Sequence, residues 1–311
     1  MAKSVKNMLL TLKVETTSGT DAAPTAAANS ILVRNVTLNP ITAEFVQRNN
    51  IRGYKGNFGS LAVGVHRVLE FEIELAGAGA AGTAPKWAPA LKACGFSETL
   101  SASTSAVYQP VSSGEPTVTC YGYLDGLLFK LTGSKGTVSF ELNSKQIPVM
   151  KYKFLGEYSP ATDVVLPTTA DFSGYQQPLT VGKVNTPSFS AFGQPMVMQS
   201  LTMDMANALA YRDLVGAAGP TSADRSPAGS MVVETASAAV VNWGEITRLG
   251  TKGPLSIVHG TTAGNIIQAD VPYVQVTAAP TFSEDNSVSM TNVSFSMIPN
   301  TGNDEFVLTV K

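Results

Sequence analysis

Three glycines between a strand-like and a helix-like segment could form the loop that binds the diphosphate of a dinucleotide. Gly77, Gly79 and Gly82 follow the sequence LEFEIEL. The first strand of a dinucleotide-binding fold is buried on both faces and apolar throughout, whereas residues 69–75 carry a glutamate at every second position. The fingerprint also needs an acidic residue at the end of a second strand, and Glu98 follows the predicted helix too closely for that. We therefore interpret the glycines as a flexible turn.

The alternating glutamates themselves resemble a set of catalytic carboxylates. Glu70, Glu72 and Glu74 would all lie on one face of a strand, because side chains alternate between the two faces. Glycosidases use two such carboxylates as acid and base. The simpler interpretation is the exposed face of a strand, balanced by Lys151 and Lys153 on a neighbouring strand, and we favour it.

The chain has few residues that could form a metal site or a catalytic nucleophile. The two histidines, His66 and His259, have no cysteine or carboxylate around them at the spacing of metal ligands, and no G-x-S-x-G motif occurs. Cys94, in a predicted helix, and Cys120, in a predicted strand, are expected to be reduced and buried, with a disulfide as the open alternative. We predict no catalytic residue, no cofactor and no metal site, and hence no enzyme.

Composition and charge narrow the class further. Of the 311 residues only 14% are charged and 27 are glycine, which favours strands and turns over long helices. The formal net charge of -2 offers no basic surface for binding nucleic acid directly. The early apolar segment, residues 8–12, ends at Lys13, too short for a secretory signal, so we expect synthesis in the cytoplasm and no membrane segment.

Hydrophobic periodicity predicts an all-β fold with short flanking helices. Apolar residues alternate with polar ones, as in half-exposed antiparallel strands, over residues 69–75, 138–142, 150–154, 288–290 and 306–310. Two short helices are expected at residues 85–94 and 243–249, each stopped by a glycine. Their core-facing residues are expected to be Trp87 and Leu91 in the first helix and Trp243 and Leu249 in the second.

Repeated spacing indicates an internal duplication. Phe140 follows Trp87 by 53 residues, and Phe295 follows Trp243 by 52. We interpret this as two tandem β-sandwich modules, residues 1–160 and 179–311, joined by a linker over 161–178. Two unrelated β-domains with an accidental spacing are the alternative.

Three segments of the first 160 residues resemble the major tail tube proteins of long-tailed, non-contractile bacteriophages. They are LLTLKVETTSGTDAAPTAAANSILVRNVTLNP, FEIELAGAGAAGTAPKWAPALKACGFSETL and CYGYLDGLLFKLTGSKGTVSFEL. The resemblance implies tail-tube-type β-sandwiches whose copies form rings and stack into a hollow tube in the virion tail, assembled in the host bacterial cytoplasm. Through that tube DNA leaves the virion, and a tape-measure protein fills it beforehand. Tail terminator and distal tail proteins are further implied partners.

Stacking in this family is made by a long loop that reaches the next ring. Residues 42–66 match its position, and residues 206–229 would be the second copy. The candidate inter-ring contacts in the first loop are Arg48, Arg52, Tyr54 and Lys55. A mobile surface loop is the alternative.

Duplication also affects ring stoichiometry and the tube lumen. Three chains would supply six similar modules, so we favour a trimeric ring with pseudo-sixfold symmetry over a hexamer of whole chains. Glu70, Glu72 and Glu74 are the candidate lumen residues, since a negative wall would repel phosphate. The competing class is a baseplate or receptor-binding β module, or a bacterial surface binding protein.

Overall fold

Antiparallel strands dominate residues 3–311, which are the residues that the computed structural model describes. The expectation of an all-β fold with short flanking helices is confirmed. The expected first module began at residue 1, and its first two residues lie outside the described part. The elements of the first half are β1 (Met8–Val14), α1 (Ala26–Asn29), β2 (Ser30–Ile31), β3 (Arg34–Leu38), β4 (Thr42–Gln47), β5 (Ser60–Glu74), α2 (Ala88–Lys92), β6 (Phe96–Ser101), β7 (Ser105–Pro110), β8 (Val118–Leu124), β9 (Leu127–Asn143), β10 (Val149–Tyr158) and β11 (Thr162–Asp163).

The second half consists mainly of strands and contains one short helix. Its elements are β12 (Ser188–Ala191), β13 (Gln194–Pro195), β14 (Met198–Asp204), β15 (Asn207–Leu214), β16 (Ala217–Arg225), β17 (Ala228–Glu234), α3 (Trp243–Leu249), β18 (Lys252–His259), β19 (Ile267–Val276), β20 (Thr281–Asp285), β21 (Val288–Ile298) and β22 (Val307–Val310).

Eight of these strands form a continuous antiparallel sheet that crosses the middle of the chain. We call it the central sheet, and its order is β3-β5-β10-β9-β14-β17-β21-β20. The two halves meet where β9 pairs with β14, with Leu142 opposite Leu201 and Phe140 opposite Met203. We call this contact the internal junction. Backbone hydrogen bonds therefore tie the two halves together as they tie the strands within each half.

Strands β1, β8, β12 and β18 pack over one face of the central sheet. In the first half β1 pairs with β8, and β8 pairs with the first part of β9; in the second half β12 pairs with β18, and β18 pairs with β19. The alternating apolar residues of β5 and β10, such as Phe71 and Phe154, lie in the same buried cluster as Leu12 of β1 and Cys120 of β8. This is a β-sandwich, and it buries the apolar side of each alternating strand.

One hydrophobic core serves both halves. Trp87 and Trp243 belong to the same buried cluster. The rings of Phe140 and Phe306, from opposite halves, are 4.9 Å apart, and β22 pairs with β7. The segment expected as a linker, residues 161–178, is not free, because Tyr175 packs against this core. The two expected modules are therefore joined more closely than tandem domains would be.

Helix α3 begins and ends where the sequence predicts, whereas helix α2 is shorter than predicted. Asn242 accepts a hydrogen bond from the Glu245 N–H at 3.1 Å, and Gly250 adopts a positive φ of 62° after the last helical residue. The first helix covers Ala88–Lys92 instead of 85–94. Hydrogen bonds from residue i to i−3, such as Ala88 N–H to the Pro85 carbonyl, tighten both of its ends into turns.

Three of the four expected helix core residues are buried, and Leu249 is not. The relative exposures are 1% for Trp87, 0% for Leu91, 8% for Trp243 and 61% for Leu249. Six helical residues, at about 100° each, turn the Leu249 side chain about 120° away from that of Trp243. Ile246 packs against the core in its place. The expectation for Leu249 was wrong because the seven-residue helix presents only its first turn to the core.

The glycine turn is a packed contact between the halves. Gly77 N–H donates to Asn265 Oδ1 at 2.6 Å, and Gly79 N–H donates to the Gly264 carbonyl at 2.9 Å. A Cβ atom on Gly77 would lie 2.2 Å from the Gly264 oxygen. Glycine is required here because two backbones approach closely, so the turn is held in place rather than flexible.

Both cysteines are buried and free, as expected from the sequence. Burial raises the pKa of the Cys94 thiol well above its usual value. A buried thiol of raised pKa is a packing residue and a poor nucleophile.

The burial difference between Leu91 and Leu249 predicts opposite outcomes for the same substitution. Leu91→Ala should lower the free energy of unfolding by about 2–5 kcal/mol, because it leaves a cavity in the shared core. Leu249→Ala, the matched control, should change it by less than about 0.5 kcal/mol. Urea titration followed by tryptophan fluorescence measures both. Equal losses would show that the exposed position of Leu249 is wrong.

Candidate assembly surfaces

The face of the central sheet opposite the core is polar. Alternation and strand register place the following polar side chains on it, and we call it the polar sheet face: Arg34, Thr37, Glu70, Glu72, Glu74, Thr137, Ser139, Glu141, Lys151, Lys153, Thr202, Asp204, Ser230, Glu234, Ser283, Asp285, Asn292 and Ser294. The apolar Val149, Val232 and Met290 lie among them. A shallow groove on this face is lined by side chains of five strands, Glu70, Lys153 and Asp204 among them.

Lysines lie directly opposite two of the three glutamates of β5. Lys153 pairs in register with Glu70, and Lys151 with Glu72, as the sequence suggested. The closest ion pairs are Lys153 Nζ to Glu70 Oε1 at 3.1 Å, Arg34 Nε to Glu72 Oε2 at 3.0 Å, and Lys151 Nζ to Glu141 Oε1 at 2.7 Å. The glutamates thus belong to a cross-strand charge network of the kind that exposed sheet faces carry.

The polar sheet face keeps an acidic excess after this pairing. Among the polar side chains named for it, seven are carboxylates and three are cations. Asp204 and Glu234 take part in none of the ion pairs formed within residues 3–311. Exposed pairs such as Lys153–Glu70 contribute about 1 kcal/mol or less to stability. The carboxylates in excess of the cations give a negative potential above the face.

The segment expected as a long loop over 42–66 is a β-hairpin. β4 pairs with the first part of β5, from Thr42 opposite His66 to Gln47 opposite Ser60. Only residues 48–59 at the tip are irregular. The hairpin carries large exposed apolar side chains, with relative exposures of 65% for Phe45 and 101% for Ile51.

The four predicted contact residues all lie in the tip of this first hairpin, and one is used within it. Arg48, Tyr54 and Lys55 are exposed. Arg52 is half-buried; its guanidinium carbon lies 4.4 Å from the Tyr54 ring centroid and 4.1 Å from that of Phe58. Arg52 therefore shapes the tip by holding the Tyr54 ring, and Arg48, Lys55 and the exposed part of Tyr54 remain available to a partner.

A second hairpin, β15–β16, occupies the place expected for the second loop at 206–229. Its strands join through a two-residue turn, Val215 and Gly216, with Gly216 at a φ of 88°. Val215 is 110% exposed. Gly216 is the signal that could have identified this turn from the sequence, since turns favour glycine.

The two hairpins project from the same rim of the central sheet and touch each other. β5 and β17 run in the same direction, because an even number of antiparallel steps separates them, and each enters the sheet from its hairpin. The rings of His66 and Tyr211 stack at 4.9 Å, and Gly64 N–H donates to Asp213 Oδ2 at 3.0 Å. They form one paired projection with apolar tips.

A buried arginine fixes the base of the first hairpin. Arg67 is fully buried and donates to three backbone carbonyls: Pro40 at 2.9 Å, Lys130 at 2.7 Å and Ser159 at 2.8 Å. Burial lowers the pKa of its guanidinium. The three carbonyls belong to different segments, so Arg67 joins the hairpin base to the ends of β9 and β10.

The central sheet ends in two edge strands that the sequence did not single out. Within residues 3–311, β3 pairs only with β5, and β20 pairs only with β21. Phe282 on β20 is 75% exposed, although its register places it on the core side of the sheet, opposite the buried Thr291. Open edges with exposed apolar residues are joining surfaces or aggregation hazards.

The histidines have structural surroundings. His66 stacks on Tyr211, and His259 is buried with Nδ1 2.9 Å from Thr186 Oγ1. In the described part of the chain, no group of three histidine, cysteine or acidic residues is placed to hold a metal ion. No helix among residues 3–311 has the length and apolarity to cross a bilayer.

Comparison with known proteins identifies the family of this all-β chain. The family model described as phage tail tube protein matches residues 6–297. None of the curated proteins compared matches the chain. The chain belongs to the phage tail tube protein family, and it is a structural component of a virion tail.

The role of Arg67 can be tested against an exposed arginine of the same hairpin. Arg67→Met should lower the free energy of unfolding by roughly 2–5 kcal/mol, because three buried carbonyls lose a charged donor. Arg48→Met should change it by less than about 0.5 kcal/mol. Thermal unfolding at fixed concentration measures both. An Arg67→Met variant with unchanged stability would contradict the proposed role of Arg67 in joining the hairpin base to β9 and β10.

Proposed function

We propose that this protein is the ring-forming subunit of the tail tube of a long-tailed, non-contractile bacteriophage, that its rings stack, and that DNA passes through their bore. The observation that carries the proposal is the central sheet, which has two open edges and an internal junction of the kind those edges could form between chains. A sheet that continues from copy to copy closes into a barrel and loses its edges.

An internal duplication of a tail-tube module is part of the proposal, and the order of the strand ladders supports it. The first half pairs as β1-β8-β9-β10-β5-β3, and the second half pairs as β12-β18-β19-β21-β17-β14. Each half also places a short strand on the start of its long strand, β11 on β9 and β22 on β19. The first part of β5 belongs to a hairpin, and a hairpin directly precedes β17. A short helix follows each of these two strands.

This order changes one correspondence that the spacing suggested. Phe295 lies on β21, which occupies the position of β10, so its counterpart is Phe154. Phe140 lies on β9, whose second part corresponds to β20. The similar distances from the two tryptophans are therefore coincidental at this point.

A trimeric ring with pseudo-sixfold symmetry fits this arrangement. Both halves contribute four strands to the same sheet, so three chains would give three times eight, or 24 strands. At a spacing of about 4.8 Å and a tilt of about 40°, such a barrel would have a backbone diameter of about 48 Å. We favour three chains because each would supply two equivalent modules, and a hexamer of whole chains would double that diameter.

The paired hairpins are the proposed stacking elements. They project from one rim and expose Ile51 and Val215 at their tips, and the predicted contacts Arg48, Tyr54 and Lys55 surround the first tip. A contact between one rim and the opposite rim of the next ring is heterologous and repeats without closing. At the two tube ends, the tail terminator and distal tail proteins are the partners expected from the resemblance.

The polar sheet face is the proposed lumen wall, with Glu70, Glu72 and Glu74 among its residues. Its acidic excess would repel DNA phosphates and let the duplex and the tape-measure protein slide without binding. The positions that match Glu70 and Glu72 in the second half are Ser230 and Val232, and only Glu74 has an acidic counterpart, Glu234. The negative charge would therefore alternate around the bore.

Electron microscopy of the purified protein at high concentration tests the proposal. We expect rings and tubes of uniform width. The double variant Ile51→Asp with Val215→Asp should give single rings without tubes, since charged tips oppose burial in the next ring. Val165→Asp, at an exposed position outside the hairpins, is the control and should give tubes. A wild-type protein that stays monomeric at every concentration would favour the baseplate or receptor-binding alternative.

The lumen assignment is tested by reversing charge on the polar sheet face. Tubes of Glu70→Lys with Glu74→Lys should retain duplex DNA in sedimentation at about 50 mM salt and release it at about 200 mM, whereas wild-type tubes should retain none. The double variant Asp163→Lys with Asp171→Lys changes the net charge equally at exposed sites off this face. Equal retention by both variants would place the glutamates outside the lumen.

A further inference from the structure

The internal junction carries more information than the existence of open edges, because it shows how two such edges meet. If the halves are equivalent, the contact between β9 and β14 inside one chain is a template for the contact between neighbouring chains. This inference rests on the proposed function, and it adds the identity of the two strands, their register and the residues that meet.

The two edge strands occupy the positions of the two junction strands. β3 lies on β5 with Thr37 opposite Glu70, as β14 lies on β17 with Thr202 opposite Ser230. β20 forms a hairpin with β21, as β9 does with β10. In the central sheet the free sides of β3 and β20 therefore correspond to the joined sides of β14 and β9.

Register can be carried across the halves one ladder at a time. Leu69 faces Phe154, and Gly229 faces Phe295, so these two phenylalanines correspond. Counting along the same strands, Met150 corresponds to Thr291.

The residues that face Met150 and Thr291 on the adjacent strands then correspond to each other. Phe140 is the partner of Met150, and Phe282 is the partner of Thr291. Phe282 is therefore the counterpart of Phe140.

We propose that β20 of one copy pairs antiparallel with β3 of the next copy, with Phe282 opposite Leu38 and Ser283 opposite Thr37. The model for this contact is the internal junction, in which Phe140 faces Met203 and Glu141 faces Thr202. The strand directions agree, because seven antiparallel steps separate β3 from β20 in the central sheet.

The different exposure of two matching phenylalanines supports the assignment. Phe140 is 1% exposed and packs between the halves, whereas Phe282 is 75% exposed on the same side of the sheet. A neighbouring β3 would cover Phe282 with Leu38, which is only partly buried in the single chain. Burial of an aromatic side chain at the centre of a small strand contact is a common source of binding energy.

Charge is complementary in the same register. Asn143 faces Ser200 at the internal junction, and the corresponding residues at the outer edges are Asp285 and Arg34. An acidic residue of one copy would thus lie opposite a basic residue of the next, on the polar side of the sheet. Such a pair favours the correct register over slipped ones.

Disulfide trapping tests the register directly. The double variant Thr37→Cys with Ser283→Cys places thiols at facing positions, where Cα atoms of antiparallel strands lie about 4.5–5.5 Å apart, within the range that a disulfide spans. Both native side chains are exposed, so the fold should tolerate the change. Mild oxidation of assembled rings should give dimers and trimers on a non-reducing gel.

The matched control slips the register by two residues. Thr37→Cys with Asp285→Cys puts the second thiol on the same face but one pleat away, and it should give at least tenfold less cross-linked product. Equal or stronger cross-linking of the slipped pair would overturn the register. Covalent species up to six chains would support the register and overturn the trimer.

A substitution at the proposed centre separates this inference from the proposed function. Phe282→Asp should abolish ring formation at concentrations where the wild type assembles, with an unchanged melting temperature because the side chain is already exposed. Val184→Asp, 82% exposed in the wild type, is the control. If the wild type forms tubes and Phe282→Asp also does, the edge assignment fails while the tube function stands; if the wild type forms no rings, the proposed function itself fails.

Discussion

Backbone hydrogen bonding at the edges of the central sheet is the constraint on which the rest of the structure depends. Each half builds four strands of that sheet, and a four-stranded sheet has two edges with unpaired N–H and C=O groups. Inside the chain one edge of each half is paired at the internal junction. The remaining two edges, β3 and β20, keep the same need, and the simplest way to meet it is a further copy of the chain.

The other features are consistent with a sheet that is one segment of a larger barrel. Its core side is sealed by β1, β8, β12 and β18, and both tryptophans lie in that one core. Its other side is largely polar, with an acidic excess that stability does not require. The two hairpins leave the same rim side by side, anchored in the first case by Arg67. Three surfaces thus differ in physical character. The open edges suit lateral joining, the polar sheet face suits lining a lumen, and the hairpins suit stacking.

The correct and the wrong expectations have physical causes. Alternation predicted β5, β9 and β10 correctly, since burial of one face imposes a period of two on the sequence. Gly250 predicted the end of α3 because only a residue tolerant of positive φ ends a helix in that way. Leu249 was misplaced because helical periodicity does not show how many turns of a helix reach the core. The hairpin at 42–66 was taken for a loop because both its faces are exposed, so its strands carry no alternation.

The sequence by itself determined the all-β class, the positions of the strongly alternating strands and of the helices α2 and α3, and the family resemblance of the first half. These properties follow from local patterns of apolar residues, glycines and prolines. Only the tertiary structure decided that the halves share one core, that Gly77 packs against Gly264, and that β3 and β20 are the open edges of one sheet. Those facts depend on which strands pair across more than a hundred residues, and pairing between distant strands leaves little local trace in the chain.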